Sequence, residues 1–89
     1  MQTRAFYYDG QTSTRHKALL TLQREQLIIE GDGFRHQHPL STLKLEAPIG
    51  GLARTLHLAD GGSCQISDDR FSAALEGILG SGFQSLVHR

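Results

Sequence analysis

Apolar positions recur at every second residue through most of the chain, and glycines interrupt the pattern at fairly even intervals. Residues i and i+2 of a strand share a face, so each alternating run predicts one half-buried strand. Ala5–Tyr8 is aromatic-rich and ends at the Asp9-Gly10 turn. Lys17–Gln23 places Ala18, Leu20 and Leu22 on one face, and Gln26–Glu30 follows across the polar Arg24-Glu25 turn. Gly31-Asp32-Gly33 marks the next turn. Phe34–His38 is ended by Pro39, which has no N–H to give to a ladder. Thr42–Ala47 carries Leu43 and Leu45, Ala53–Ala59 carries Leu56 and Leu58, and Ser63–Ser67 carries Cys64 and Ile66. Asp60-Gly61 predicts a hairpin turn between the last two runs, with a bulge at Gly62.

The period then changes. Phe71, Ala74, Leu75, Ile78 and Leu79 fall at i, i+3, i+4, i+7 and i+8, one apolar stripe of an α-helix. Ser67 or Asp68 suits its N-cap, and Asp68 and Asp69 suit the positive end of its dipole. Gly80 and Gly82 predict its end. Residues 1–80 thus form one β-rich domain with a C-terminal helix. Residues 81–89 form a tail, which Phe83, Leu86 and Val87 suit to a second short helix or to the start of something longer.

About seven short antiparallel strands followed by one helix leave open sheet edges and one apolar face for the helix to cover. The architecture that fits this order is a pleckstrin-homology-like barrel plugged by its terminal helix. The alternative is a β-meander with the helix laid across one face.

Composition narrows the function classes. The 89 residues carry nine Lys plus Arg and nine Asp plus Glu, a formal net charge of zero, which argues against a dedicated binder of nucleic acid or anionic membranes. Hydrophobic residues are 38%, which with the ten glycines is an ordinary globular fraction, so the isolated chain is expected to be soluble. The apolar runs are too short for a membrane span. The single Cys64 excludes an internal disulfide and a cysteine-based structural zinc site.

Each candidate for chemistry has a plainer reading beside it. His36 and His38 sit at i, i+2 and share a strand face, so they can ligate one metal if His57 or Cys64 supplies a third ligand. The plainer reading is a solvated edge strand, polar on both faces. Arg15, His16 and Lys17 precede the second strand, where a pleckstrin-homology-like fold can clamp a lipid phosphate. The plainer reading gives Thr12, Ser13 and Thr14 local bonds that shape the turn. Asp9, Ser13 and His16 lie too close together in one loop for a hydrolytic triad. Gly31-x-Gly33 precedes no helix and is no dinucleotide loop. Cys64 reads as a core residue, and Arg54 as the partner of Glu46 or Asp60 in a surface contact.

Several motifs in order carry a resemblance. They begin with Phe6-Tyr7-Tyr8-Asp9-Gly10, Thr12-Ser13 and His16, then Leu27, Gly31-Asp32-Gly33 and Pro39-Leu40. They continue with Leu45-Glu46-Ala47-Pro48-Ile49-Gly50, Arg54-Thr55-Leu56, Asp60-Gly61 and Cys64-Gln65-Ile66. Over roughly residues 4–79 the chain resembles the small N-terminal domain that precedes the membrane span and peptidase domain of bacterial membrane-associated zinc metallopeptidases, of the heat-shock membrane protease and CAAX-prenyl-protease type.

The resemblance implies a non-catalytic accessory or interaction domain. Zinc is expected only in the associated peptidase domain, at its His-Glu-x-x-His motif, which none of the five histidines here begins. No catalytic residue carries over, and no cofactor is expected in this chain. The implied partner is the domain's own peptidase or a substrate protein, and the membrane is met only through a following span for which the tail is the lead-in. The implied location is the cytoplasmic face of the inner membrane. The alternative is a free-standing pleckstrin-homology-like module that binds a peptide or a lipid headgroup. Neither reading fixes an oligomeric state.

Overall fold

A computed structural model describes residues 1–79 of the chain. The strands are β1 (Gln2–Tyr8), β2 (His16–Leu22), β3 (Gln26–Gly31), β4 (Phe34–Pro39), β5 (Lys44–Leu45), β6 (Arg54–His57) and β7 (Ser63–Ile66), followed by helix α1 (Asp69–Leu79). They form one sheet in the order β4-β3-β2-β1-β7-β6-β5, with every neighbouring pair antiparallel. Two meanders, β1 to β4 and β5 to β7, are thus joined by the pairing of β1 with β7. The sheet curls into a half-barrel, and α1 packs against it as the expected terminal helix.

The period-two pattern puts the core on the inward face. Leu20, Leu27, Ile29, Leu56, Cys64 and Ile66 are almost fully buried there, and α1 adds Phe71 and Leu75. The β1–β2 register pairs Ala5 with Ala18 and Tyr7 with His16, so these four also face inward. Gly10, at φ 83°, brings the β1–β2 loop against the backbone of Gly61, where any Cβ would collide.

Asp68 is the cap of α1. Its Oδ1 accepts from the backbone N–H groups of Arg70 and Phe71 at 2.9 and 3.2 Å, and its Oδ2 accepts from the Thr3 hydroxyl at 3.0 Å. The cap thereby ties the helix start to β1.

Several boundaries differ from the sequence reading. β1 starts at Gln2, because the sheet recruits Thr3 and its polar neighbours into pairing with β2. The expected strand Thr42–Ala47 shrinks to Lys44–Leu45, since a 3-10 turn takes Leu40–Thr42. Ala53–Ala59 shrinks to Arg54–His57, but the expected tight turn is present: the Leu58 N–H donates to the Gly62 carbonyl at 2.9 Å and the Gly61 N–H to the Leu58 carbonyl at 3.2 Å, closing the β6–β7 hairpin over Ala59, Asp60 and Gly61. There the Gly62 N–H donates to Asp60 Oδ1 at 2.8 Å.

The helix is also rotated from its expected stripe. Phe71, Ser72 and Leu75 are buried and Leu79 packs on the core, whereas Ile78 is 51% exposed. At about 100° per residue, the buried arc runs from Phe71 through Leu75 and Leu79 to Ser72, leaving Ile78 on its flank. The expected stop at Gly80 and Gly82 and the tail 81–89 lie outside the described residues. No helix among the described residues is long and apolar enough to cross a membrane.

Candidate functional site

Strand alternation separates the three consecutive residues Arg15, His16 and Lys17. His16 pairs with Tyr7 and faces inward, while Lys17 pairs with Phe6 and faces outward. Arg15 also lies on the outer side, its guanidinium over the Phe6 ring with Cζ 4.4 Å from the centroid. The cluster expected from sequence therefore divides between two surfaces.

The outer surface holds a groove of about 350 Å³ across β2, β1 and β7, lined by Arg4, Phe6, Lys17, Gln65 and Ser67 and running over Ala5 and Ala18. Phe6 is opposite Lys17 on one side and Gln65 on the other, so the groove is built on the middle strands of the sheet. Among the described residues, none of Arg4, Arg15 and Lys17 is ion-paired. Two of the nine Lys and Arg residues, Arg4 and Lys17, thus line one groove of a neutral chain, and a third, Arg15, sits over its Phe6. Sequence reading found Arg15 and Lys17 but missed Arg4, Phe6, Gln65 and Ser67. These are brought together only by pairing β1 with β7, a contact between residues nearly sixty positions apart.

The inward surface carries a chain of rings. Tyr7 lies 6.0 Å from His16, 5.2 Å from Phe34 and 5.6 Å from His36 between centroids, and His36 lies 6.5 Å from His38. β4 is the edge strand read from sequence, but only one of its faces is solvated. Phe34, His36 and His38 point inward, and only Arg35 and Gln37 point to solvent. His38 is 8% exposed, and its Nε2 has no hydrogen-bond partner although Asp60 Oδ2 lies 3.8 Å away.

Burial raises the Tyr7 phenol above its ordinary pKa, and the nearby Asp60 and Asp9 carboxylates and Cys64 add to the shift. Asp9 is held low because its Oδ1 accepts from the backbone N–H groups of Gln11 and Thr12. This carboxylate shapes the β1–β2 loop and is committed to that role.

His36 and His38 do share a face, as their spacing requires. Neither expected third ligand joins them. The His57 imidazole pairs with the Glu46 carboxylate on the outer side of β6, and Cys64 sits in the core. Among the described residues no three His, Cys, Asp or Glu side chains are grouped to hold a metal ion. Burial pushes the Cys64 thiol up to about 12, which leaves it a small core residue.

Arg54 does meet Glu46, one of its two expected partners, but through the backbone carbonyl and in a part-buried contact rather than a surface one. Its Nε and Nη2 donate to the Glu46 backbone carbonyl at 3.0 and 2.8 Å, and Nη2 lies 3.5 Å from the Glu76 carboxylate on α1. This guanidinium fastens the helix to the β5–β6 hairpin.

A family described as a domain of unknown function, DUF7092, matches residues 2–78. The chain belongs to this family. The match spans every strand and nearly all of α1, so the DUF7092 domain coincides with the folded unit described above. No curated protein and no solved structure matches the chain. In this DUF7092 domain the groove and the ring chain lie on opposite faces of the same strands, β1 and β2.

Proposed function

We propose that this DUF7092 domain is a non-catalytic interaction domain, carried as the accessory domain of a bacterial membrane-associated zinc metallopeptidase. The observation that carries the interaction reading is the groove. It is built on the central strands, floored by Phe6 and edged by Arg4 and Lys17, with Arg15 over the Phe6 ring, and none of these cations has an ion-pair partner among the described residues. Side chains so placed have unspent hydrogen-bonding capacity, and a partner can complete it. The peptidase association rests on the sequence resemblance. Two of its motifs, Asp9-Gly10 and Asp60-Gly61, belong to loops that meet in the fold, which gives their joint presence a structural reason.

On this reading the zinc belongs to the peptidase domain, and the partner is that domain or its substrate protein. The location is the cytoplasmic face of the inner membrane, reached through a following span. A second reading, a free-standing pleckstrin-homology-like module for a peptide or lipid headgroup, is favoured by Arg15 and Lys17 at the groove.

Two measurements test these statements. Reading the gene beyond Arg89 is expected to give an apolar span of about twenty residues and then His-Glu-x-x-His. A stop codon there overturns the peptidase association and leaves the free-standing module. A photo-crosslinking residue at Phe6 is expected to capture the peptidase domain or a substrate protein, and one at Gln37 on β4 is not. Equal capture from both positions, or none from Phe6, removes the groove as the interaction site.

A further inference from the structure

Resting on the reading of the groove as a binding site, we propose that its ligand is an acidic peptide segment in extended conformation, with carboxylates at alternate positions. The cations lie along two neighbouring strands. Arg4 is opposite Leu19, Lys17 is opposite Phe6, and Arg15 precedes β2 two residues before Lys17. Successive outward residues of a strand are about 7 Å apart. An extended peptide lying along the strands repeats its same-side side chains at that spacing, so one carboxylate meets Lys17 and the Arg15 guanidinium at the level of Phe6 and the carboxylate of the next residue but one meets Arg4.

The guanidinium of Arg15 is already placed. Its Cζ lies 4.4 Å from the Phe6 ring centroid, so the charge is held beside the groove floor, and no carboxylate among the described residues pairs with it. The apolar floor accepts the methylene stems of Glu residues. Gln65 and Ser67 supply neutral polar groups on the β7 side, where the peptide backbone needs partners.

Other anionic partners fit less well. Nucleic acid and an anionic bilayer present broad charged surfaces that call for a wide basic face, whereas here the cations are confined to one small groove of a neutral chain. The exposed apolar side chains Ile49 and Leu52, which a bilayer would take up, belong to the β5–β6 loop rather than to the groove. The groove's volume of about 350 Å³ suits a few side chains.

The test uses the 89-residue chain and a fluorescein-labelled peptide of alternating Glu and Thr, with a Gln-for-Glu copy as control, read by anisotropy. The Glu peptide is expected to bind and the Gln peptide not. Binding is expected to weaken about tenfold in the Arg4→Ala, Lys17→Ala double variant and to weaken as salt is raised. Both substituted side chains are exposed, and an unchanged circular dichroism melt verifies the fold.

Equal binding of the Gln peptide, unchanged binding by the folded double variant, or no binding of the Glu peptide overturns the proposal. Binding to vesicles containing phosphatidylglycerol without binding to the Glu peptide also overturns it, and assigns the groove to a membrane. Capture from position 6 combined with any of these results keeps the interaction reading and removes only its acidic ligand.

Discussion

His38 and Asp60 face each other at 3.8 Å, yet the buried Nε2 of His38 makes no hydrogen bond. The Gly62 N–H donates to Asp60 Oδ1 and orients that carboxylate in the β6–β7 loop, which leaves Oδ2 beyond hydrogen-bond reach of the imidazole. An unsatisfied buried nitrogen costs about 1–3 kcal/mol, whereas an apolar side chain of similar size carries no such cost. His38→Leu is therefore expected to leave stability unchanged or raise it by about 1 kcal/mol, read by thermal or urea denaturation. A loss above that size means the imidazole is held by a partner.

Arg54 is expected to be among the most sensitive polar positions. Its side chain is 11% exposed, and it satisfies the Glu46 carbonyl twice while reaching Glu76 on α1. Arg54→Met leaves that carbonyl without its two donors and is expected to cost about 1–3 kcal/mol. Arg54→Lys is expected to rescue little, because one ammonium cannot reproduce the planar fork. Urea midpoints of the two variants decide it, and full rescue by Lys removes the geometric argument.

Acid stability should depend on Asp68. The Phe71 N–H, the Thr3 hydroxyl and the Arg70 N–H, in that order, hold its carboxyl below the usual aspartate range. A lowered folded pKa gives stability that is present above the unfolded value, near 3.9. That stability is lost as pH falls through the folded value. Asp68→Asn keeps a capping oxygen but cannot titrate. The variant is expected to lose less stability than wild type between about pH 5 and pH 2, in a series of melts. Parallel acid curves for the two proteins count against the cap.

Cys64 should be chemically silent in the folded state. Burial pushes its thiol up to about 12, so at pH 8 almost none is thiolate, and the side chain is fully buried. Alkylation by iodoacetamide at pH 8 is expected to proceed only as fast as the chain unfolds, and to become rapid in denaturant. Burial raises Tyr7 in the same direction. Raised folded values make both groups stabilising below their unfolded pKa, so stability is expected to fall as pH climbs from about 9 towards 12. Fast labelling under native conditions places the thiol outside the core.

Most of the strands were legible because one inward face imposes a period of two. Leu20, Leu56 and Ile66 sit where their neighbours' alternation requires, and the Asp68 cap follows from its place before an apolar helical stripe. β4 shows the limit of this reading. Phe34-Arg35-His36-Gln37-His38 alternates in side-chain direction like any strand, but imidazoles do not announce burial as leucines do. The short strands β5 and β6 were overread because alternation continues into residues whose backbone groups bond outside the ladder.

The groove marks the same boundary for function. Arg15 and Lys17 stand out in the sequence as basic neighbours, and His16 between them looks like part of the same cluster. Alternation sends His16 to the inner ring chain and the two cations to the outer face.

Strand periodicity, turns and the helix cap depend on near neighbours and can be read along the chain, as the neutral charge can from its composition. Which distant residues share a surface is set by the folded sheet. The β1–β7 pairing sets Phe6 beside Gln65, and the curl of the sheet brings His38 to Asp60. Local pattern fixes the direction of a side chain from its own strand. Which groups it meets depends on strand order, and strand order is set by contacts across the whole chain.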